Sequence, residues 1–170
     1  NECGELVVMG ATGSYNVPTT EYAFAEAFSA GSTITYDGTV SFPFGVDIYV
    51  SRFSADGTAL PASTYVGGTN NDGLNYREIY NASQMIAYLG NDSLYANYGD
   101  GARGELITDD QNNVYVGTTT FSADFPVTEN AFQSSFGGKQ EGVVFKLDYS
   151  LRTMIFSSFI GGSEDDAVFS

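Results

Sequence analysis

Carboxylates and amides are the residues best suited to chemistry in this sequence, and they gather in three short clusters, Asn70–Gly73, Asp109–Asn113 and Glu164–Asp166. Oxygen-rich loops suit Ca²⁺, a hard cation that takes about 6–8 oxygen ligands. The clusters lack the spaced Asp-x-Asp-x-Asn-Gly pattern of a calcium loop, and Asp and Asn also make turns by bonding their own backbone. We therefore expect turns, assign no metal ligand and no cofactor, and keep calcium at one cluster as the alternative.

A second candidate chemistry is glycoside hydrolysis, which uses a pair of carboxylates. Glu78, Asp92 and Asp100 are the loop carboxylates that could form such a pair. No arginine cluster or catalytic signature accompanies them. We expect solvated side chains here and assign no catalytic residue.

The composition excludes several other kinds of site. Histidine is absent, so no Ser-His-Asp or Cys-His site can form, nor a histidine-bearing zinc or haem site. The single cysteine, Cys3, excludes an internal disulfide and a Cys₄ zinc site. A lipid-anchored cysteine would be the first residue after processing, whereas this one is third, so we interpret it as an incidental free thiol.

The charge balance narrows the range of partners. The chain carries 21 Asp and Glu against 6 Lys and Arg, and its net charge of −15 repels a phosphate backbone, which disfavours nucleic-acid binding. An aromatic fraction of 15% is too high for a disordered acidic tail. No apolar run approaches the ~20 residues that cross a bilayer, and no basic and apolar leader is visible at Asn1. We expect a folded, acidic domain.

Two parts of the chain repeat each other. The matching segments are Pro18–Phe24 with Pro126–Phe132, Asp47–Phe53 with Glu141–Leu147, and Ser63–Thr69 with Ser157–Ser163. Apolar runs that end in Gly10 and Gly117 precede the first pair, and this register sets Leu6 opposite Asn113. Four anchors in the same order indicate two diverged copies of one structural unit.

The β-branched and aromatic runs of both copies predict short strands bounded by Gly, Asn and Asp. They are Val7–Met9, Ile48–Val50, Ser63–Val66, Leu106–Thr108, Val114–Val116, Val143–Phe145 and the segment around Ser157. Turns are predicted at Ser54–Thr58, which holds an Asp-Gly hairpin signal, and at Asp110–Asn113. Helix is limited to a short segment, Glu21–Phe28, capped by Thr20, and to a turn that begins at Glu129.

The predicted order of strand, tight turn, strand, Pro-containing loop, strand, hairpin and strand is that of a four-stranded antiparallel β-propeller blade. The expected fold is all-β, with blades of an incomplete propeller that neighbouring blades or chains would complete. Unit 1, residues 1–72, is a first blade that lacks its innermost strand. Unit 2, residues 100–166, is a complete second blade, and residues 167–170 start a third with a strand at Ala167–Phe169. Residues 73–99 have no counterpart and form an insertion.

Stacked blades lead to two expectations about particular residues. A blade cannot bury its apolar faces alone, so six side chains should be mostly buried between blades: Val8, Tyr49, Tyr65, Tyr115, Val144 and Phe159. Both Gly-Gly pairs, Gly67-Gly68 and Gly161-Gly162, should follow an outer strand. At least one glycine of each pair is expected at positive φ, where only glycine is free of strain.

The insertion is rich in tyrosine, with Tyr76, Tyr80, Tyr88, Tyr95 and Tyr98. Loops longer than about 12–15 residues in compact domains tend to be functional or disordered. The apolar content of this one favours order, so we expect it to fold and to project from one face. The tyrosines then either form a stacking platform for a sugar or a protein, or pack the insertion onto its blade.

Unit 2 resembles the SBBP repeat of bacterial seven-bladed β-propellers. The resemblance is carried by Asn113-Val-Tyr-Val-Gly-Thr-Thr119, Asp124-Phe-Pro-Val-Thr-Glu-Asn-Ala-Phe-Gln133, Gly137-Gly138, Val144-Phe-Lys-Leu-Asp148 and Ser157-Ser-Phe-Ile-Gly-Gly-Ser163. Unit 1 departs from the pattern, because Ser14-Tyr-Asn-Val-Pro18 replaces the Ser-x-Asp-Phe-Pro string and its following loop is longer. The resemblance covers neither that loop nor the insertion.

The resemblance implies a propeller in a large secreted or surface protein, similar to type IX-secreted surface proteins of gliding bacteria. The implied function is non-enzymatic adhesion or structural display at the outer cell surface. The implied partners are the rest of a longer parent chain, neighbouring surface proteins or carbohydrate, and no catalytic residues come with this family. The alternative is a propeller enzyme or lectin that acts on polysaccharide.

Three short motifs in the insertion are candidates for glycosylation. Asn81-Ala-Ser83 and Asn91-Asp-Ser93 fit the N-linked sequon. Asp92-Ser93-Leu94 resembles the motif that gliding bacteria O-glycosylate on exported proteins. Three-residue motifs also occur by chance, so the modification of Ser93 stays open.

Overall fold

The chain is described by a computed structural model that covers residues 4–36, 40–81, 84–89, 94, 100–102 and 104–169. These residues form three β-sheets and contain no α-helix, so the predicted all-β class is confirmed. No helix in these ranges is long and apolar enough to cross a membrane. The strands are β1 (Leu6–Thr12), β2 (Ile34–Tyr36), β3 (Val40–Phe42), β4 (Asp47–Phe53), β5 (Ala62–Val66), β6 (Tyr76–Asn81), β7 (Gln84–Leu89), β8 (Glu105–Thr108), β9 (Val114–Thr120), β10 (Glu141–Leu147) and β11 (Met154–Ile160).

Each repeated unit contributes one antiparallel sheet. Sheet 1 belongs to unit 1 and has the order β1-β4-β5, whereas sheet 2 belongs to unit 2 and has the order β8-β9-β10-β11. The sequence predicts this arrangement, with three strands in sheet 1 and four strands in sheet 2, each paired in chain order. The assignment of these sheets as propeller blades and the domain boundaries at residues 72, 99 and 166 stay predictions.

The strand pairing corrects the register between the two units by one residue. Gly10 pairs with Tyr49, and Thr118 pairs with Val143, the counterpart of Tyr49. Gly10 is therefore equivalent to Thr118 and not to Gly117. The two glycines lie on opposite faces of their sheets, so their match in sequence was misleading. By the same shift, Leu6 corresponds to Val114 and not to Asn113.

Sheet 3 joins the two tracts that have no counterpart in unit 2. It has the order β3-β2-β7-β6, in which β2 and β3 come from the long loop of unit 1 and β6 and β7 from the insertion. The strands β2 and β7 are parallel and meet at the pair Tyr36–Ala87. The described part of the insertion is thus folded, as expected, and it pairs with the long loop. A small core beside it consists of Ile34, Val46, Leu74 and Tyr76.

The predicted helix at Glu21–Phe28 is wrong, because this segment consists of turns and bends. Part of its backbone is bonded to residues that are distant in the chain. The Ala25 N–H donates to Thr64 Oγ1 at 2.9 Å, and the Ala25 carbonyl accepts from the Tyr65 N–H at 3.0 Å. These tertiary bonds satisfy the groups that a helix would have satisfied internally.

The other local predictions have mixed outcomes. The turns at Ser54–Thr58, Asp110–Asn113 and Glu129 are present. Ala167–Phe169 is not in a strand, contrary to expectation. This segment instead crosses sheet 2, where Val168 lies close to two glycines of the sheet.

Candidate functional site, a stacked sheet interface

Sheets 1 and 2 each have two faces, because side chains alternate along a strand. Following the strand pairing, the A face of sheet 1 carries Val8, Gly10, Tyr49, Ser51 and Tyr65, and the equivalent A face of sheet 2 carries Val116, Thr118, Val143, Phe145 and Phe159. The B face of sheet 1 carries Val7, Met9, Val50, Arg52 and Val66, and that of sheet 2 carries Tyr115, Gly117, Val144, Lys146 and Ile160.

The B face of sheet 1 packs against the A face of sheet 2. Val50 and Val66 are fully buried in one core with Val116, Phe145 and Phe159. This core of 12 buried residues is the larger of the two that the described residues form. Full burial of an aliphatic or aromatic side chain contributes roughly 1.5–3 kcal/mol, so the interface between the units contributes substantially to stability.

Of the six side chains expected to be mostly buried, two are almost completely buried and four are only partly buried. Tyr65 and Phe159 are each 1% exposed. The other four are half-buried: Val8, Tyr49, Tyr115 and Val144. All four lie on the faces that point away from the interface, which are the A face of sheet 1 and the B face of sheet 2.

Arg52 is a polar clamp at this interface, and its side chain is fully buried. Its Nη1 donates to Glu5 Oε2 at 3.1 Å within unit 1. Its Nε donates to the Tyr149 carbonyl at 3.2 Å and its Nη2 to the Asn112 carbonyl at 2.7 Å, both in turns of unit 2. The guanidinium also lies 4.3 Å from the centroid of the Tyr149 ring. One side chain thus holds two turns of the neighbouring unit.

Asp72 is a second clamp and lies just after the Gly-Gly pair of unit 1. Its carboxylate accepts from the Gly68 N–H at 2.8 Å, from the Ser122 hydroxyl at 3.0 Å and, at Oδ1, from the Thr120 hydroxyl. Thr120 and Ser122 belong to unit 2, and the Phe121 N–H between them donates to the Asn71 carbonyl at 2.9 Å. The end of unit 1 is therefore bonded to the end of β9 and to the residues that follow it.

Asp72 and Asp47 form a buried carboxylate pair beside Gly67. A Cβ at Gly67 would lie 2.7 Å from Asp72 Oδ2 and 3.1 Å from Asp47 Oδ1. Asp47 Oδ2 accepts from the Ser29 N–H at 2.6 Å, whereas Asp47 Oδ1 has no hydrogen-bond partner among the described residues. Burial raises the pKa of Asp47 to about 6 and that of Asp72 to about 7. The pair can therefore take up a proton near neutral pH, and its enclosure couples that proton to folding.

The Gly-Gly pairs follow β5 and β11, as predicted, but the expectation of positive φ is wrong. Among the described residues, the glycines with positive φ are Gly4, Gly45, Gly57 and Gly73. Lack of space explains why position 68 is a glycine, because a Cβ there would lie 2.5 Å from Asp124 Oδ1 and from Ser122 Cβ. The pair in unit 1 is needed for close approach of carboxylates and not for a left-handed turn.

Unit 2 contains the counterpart of this carboxylate pair. Glu141, at the position of Asp47, accepts from the Gly137 N–H at 2.7 Å and from the Gly138 N–H at 2.9 Å. Asp166, at the position of Asp72, accepts from the Gly162 N–H at 2.6 Å. Asp166 is half-buried, whereas Asp72 is fully buried. Thr120 and Ser122 donate hydroxyl hydrogen bonds to Asp72, whereas no hydroxyl among the described residues donates to Asp166.

The three acidic clusters contain turn-forming and clamping residues. Asp109 Oδ1 accepts from the Gln111 N–H at 3.0 Å and the Asn113 N–H at 2.8 Å, which closes the turn before β9. Lys146 Nζ lies 2.9 Å from Asp109 Oδ2 and holds the pKa of that carboxyl well below its usual range. In the described ranges no group of three or more Cys, Asp or Glu is placed to hold a metal ion.

The insertion provides one buried tyrosine and leaves the other candidates outside the described side chains. Tyr76 is 3% exposed and stacks on Phe121 of unit 2 at 4.2 Å, so it packs the insertion and offers no surface to a ligand. The side chains of Glu78 and Asp100 and those of the other four tyrosines lie outside the description. The residues Cys3, Ser83, Asn91, Asp92 and Ser93 lie outside the described ranges altogether.

The two outward faces carry shallow apolar grooves. On the B face of sheet 2 a groove of ≈ 360 Å³ is lined mainly by Ile107, Tyr115, Val144, Phe156 and Val168. On the A face of sheet 1 a groove of ≈ 460 Å³ is lined mainly by Val17, Pro18, Tyr49, Phe53 and Leu60. These surfaces are suited to apolar contact with another protein surface.

When the sequence is compared with known protein families and with curated proteins, it matches none of them. The function must therefore be argued from the interface itself. Arg52 in the interface and Asp47 beside Asp72 were not singled out from sequence. Their alignment with Lys146 and Glu141 was visible, and a charge kept at equivalent positions of two repeats was the signal that could have identified them.

Proposed function

We propose that the chain is a non-enzymatic segment of a β-propeller in which sheets 1 and 2 are neighbouring blades. The observation that carries this proposal is the stacking of the B face of one unit on the A face of the next. Repeated units that stack around an axis must meet in this way, because each buries its apolar faces only against its neighbours. The resemblance of unit 2 to the SBBP repeat supports the same assignment.

The proposed setting is the outer surface of a bacterial cell, where an exported propeller serves adhesion or structural display. The acidic charge of the chain and the gliding-bacterial resemblance support this setting. Further repeats of a longer parent chain, or neighbouring surface proteins, are the proposed partners of the outward faces, and carbohydrate is the proposed ligand. Asp72 accepts from a backbone N–H and from two hydroxyls, and Glu5 is paired with Arg52, which supports a structural role of these carboxylates over a catalytic one.

The fold proposal is tested by a crystal structure of the chain. Blades diverge from a central axis, so the distance between sheets 1 and 2 should increase from the β1–β9 edge to the β5–β11 edge. Two sheets of a sandwich instead keep a uniform separation of about 10 Å. A uniform separation would contradict the propeller.

The functional proposal is tested by displaying the chain on a non-adherent bacterium. Cells that carry it should attach to polysaccharide-coated surfaces more strongly than cells that carry the display anchor alone, without releasing reducing ends. Release of reducing ends by the purified chain would favour the alternative, a propeller enzyme. Attachment equal to that of the anchor alone would contradict adhesion.

A further inference from the structure

The contact between units 1 and 2 is heterologous, because it joins two different surfaces, a B face and an A face. The described chain therefore has one further surface of each kind, the A face of sheet 1 and the B face of sheet 2. Around the latter, Ile107, Phe156 and Ile160 are 65%, 38% and 43% exposed. A heterologous contact within a chain can be repeated between chains and then forms rings or open assemblies.

Phe24 makes a contact between units 1 and 2, and the equivalent groups for the same contact between two chains are Phe132 and the turn at Gly57. Phe24 packs against the interface core, and its N–H donates to the Leu151 carbonyl in a turn of unit 2 at 2.9 Å. Phe132 is 92% exposed. The position equivalent to Leu151 in unit 1 is Gly57, and both have positive φ, 55° and 70°. No heavy atom lies within 4 Å of a Cβ at Gly57, so this turn has room for an aromatic ring.

The bonds between Asp72 and the hydroxyls of unit 2 also have equivalent groups, which are unbonded to each other within the chain and lie at Asp166 and at Thr12 and Ser14. Thr120 and Ser122, which bind Asp72, form a local turn in which the Ser122 N–H donates to Thr120 Oγ1 at 2.9 Å. Unit 1 contains the same turn at its equivalent positions, where the Ser14 N–H donates to Thr12 Oγ1 at 3.1 Å. Ser14 is exposed on the surface. A preformed pair of hydroxyls thus exists at one end of the chain, and a half-buried Asp166 at the other.

We propose that the B face of sheet 2 docks onto the A face of sheet 1 in a second copy of this chain. Asp166 of one copy then accepts from Thr12 and Ser14 of the other, and Phe132 packs beside Gly57. This inference rests on the stacking in the proposed function and extends it from one chain to two. Residues of unit 1 that are buried in the contact between sheets 1 and 2 have exposed counterparts in unit 2. In that contact the B face of sheet 1 binds an A face, so the surface that we expect on the B face of sheet 2 is also an A face.

The charge of the chain predicts how this association responds to salt. Each copy carries a net charge of −15, so two copies repel each other at low ionic strength. Salt shortens the range of this repulsion, from about 10 Å at 0.1 M to about 3 Å at 1 M, and leaves apolar contact intact. Association should therefore become stronger as sodium chloride is added.

Sedimentation velocity over a range of protein concentrations, at low and high sodium chloride, tests the proposal. The wild-type chain should form oligomers larger than dimers at high concentration. Ile107→Lys on the B face and Leu60→Lys on the A face should each remain monomeric, while an equimolar mixture of the two should form a dimer and nothing larger, because each variant keeps one intact face. Phe44→Lys, at a position that is 56% exposed and outside both faces, should associate like the wild type.

The clamp is tested separately by Asp166→Ala, which should weaken association about 10-fold, since hydrogen bonds to a charged group contribute about 1.5 kcal/mol or more. Asp110→Ala, at an exposed turn, removes the same charge and should have no such effect. Circular dichroism of dilute samples checks that each variant is folded, and Phe156→Lys replaces Ile107→Lys if the latter unfolds. A wild-type chain that stays monomeric, or a mixture that forms no dimer, would overturn the proposal. In that case an intact contact between units 1 and 2 within the monomer would leave the proposed function standing.

Discussion

Val66 and Ile160 occupy equivalent positions at the ends of the outer strands of the two units, and they differ in what lies over them. Val66 is fully buried because sheet 2 covers the B face of sheet 1, whereas Ile160 is 43% exposed. Asp72 and Asp166 differ in the same way. Alternation along a strand determines which residues share a face. Coverage by the neighbouring sheet determines whether Val66 or Ile160 on the B face is buried.

The largest expected difference between the units is at Arg52 and Lys146. Removal of one member of a buried ion pair costs about 3–5 kcal/mol, and Arg52→Ala also removes the hydrogen bonds to the Tyr149 and Asn112 carbonyls of unit 2. Arg52→Ala should therefore lower the free energy of unfolding by about this amount. Lys146→Ala should have a much smaller effect, since its amine is near the surface. Urea denaturation compares the two variants, and equal losses would contradict the role of Arg52 as a clamp.

The apolar part of the interface is tested at Val66 and Ile160. Val66→Ala removes fully buried methyl groups and should cost about 2 kcal/mol. Ile160→Ala removes a larger but partly exposed group and should cost less than half as much. The measurement is the free energy of unfolding at a protein concentration low enough to prevent association. A larger loss for Ile160→Ala would mean that the B face of sheet 2 is covered in the monomer.

The second glycines of the two Gly-Gly pairs, Gly68 and Gly162, differ in the space that is available for a side chain. A Cβ at Gly68 would lie 2.5 Å from Asp124 Oδ1, whereas the nearest atom to a Cβ at Gly162 is 3.8 Å away. Gly68→Ala should cost about 1 kcal/mol or more through overpacking, and Gly162→Ala should be close to neutral. Thermal unfolding of both variants is sufficient. Equal sensitivity would indicate a backbone requirement that the φ angles do not show.

The buried carboxylate pair of unit 1 predicts that stability depends on pH. The pKa values of about 6 for Asp47 and about 7 for Asp72 exceed the value of about 3.9 in an unfolded chain. The folded state therefore binds more protons between about pH 4 and 7, and the stability that the pair contributes is lost as pH rises through this range. Asp72→Asn should flatten the slope, and Asp110→Asn should leave it unchanged. An unaltered slope in Asp72→Asn would contradict the assignment to this pair.

Local signals in the sequence were sufficient for the repeat, for the strands of sheets 1 and 2 and for the turns, but they wrongly predicted a strand at Ala167–Phe169 and did not indicate the strands of sheet 3. The β-branched runs predicted the strands of sheets 1 and 2, and the Asp-Gly signal predicted the turn at Ser54–Thr58. The segment Glu21–Phe28 was wrongly predicted as helix, because the bonds of Ala25 to unit 1 are tertiary and leave no local pattern. The register failed by one residue because Gly10 and Gly117 look alike but lie on opposite faces.

The interface was harder to predict than the strands. Arg52 bonds to a carbonyl that is 97 residues away in the chain, and a single sequence carries no signal for such a partner. Alternation alone does not reveal what covers a face: Phe159 is buried by the neighbouring sheet, whereas Tyr65 is on the outward A face of sheet 1 and is buried by its own unit, where its hydroxyl donates to the Ser14 carbonyl at 2.8 Å. The pairing of the insertion with the long loop in sheet 3 joins two tracts without a repeat, so the alignment of the units could not indicate it.

The central claim is that the B face of sheet 1 lies on the A face of sheet 2, and one nuclear Overhauser measurement tests it directly. Met9 is on the B face, and its Cε methyl lies 3.0 Å from the position of a Cβ at Gly104, just before sheet 2. A sample labelled at the methionine methyl groups should show a strong cross-peak between the Met9 methyl and the Gly104 Hα protons. Cross-peaks from that methyl to residues of sheet 1 only would contradict the stacking of the two units.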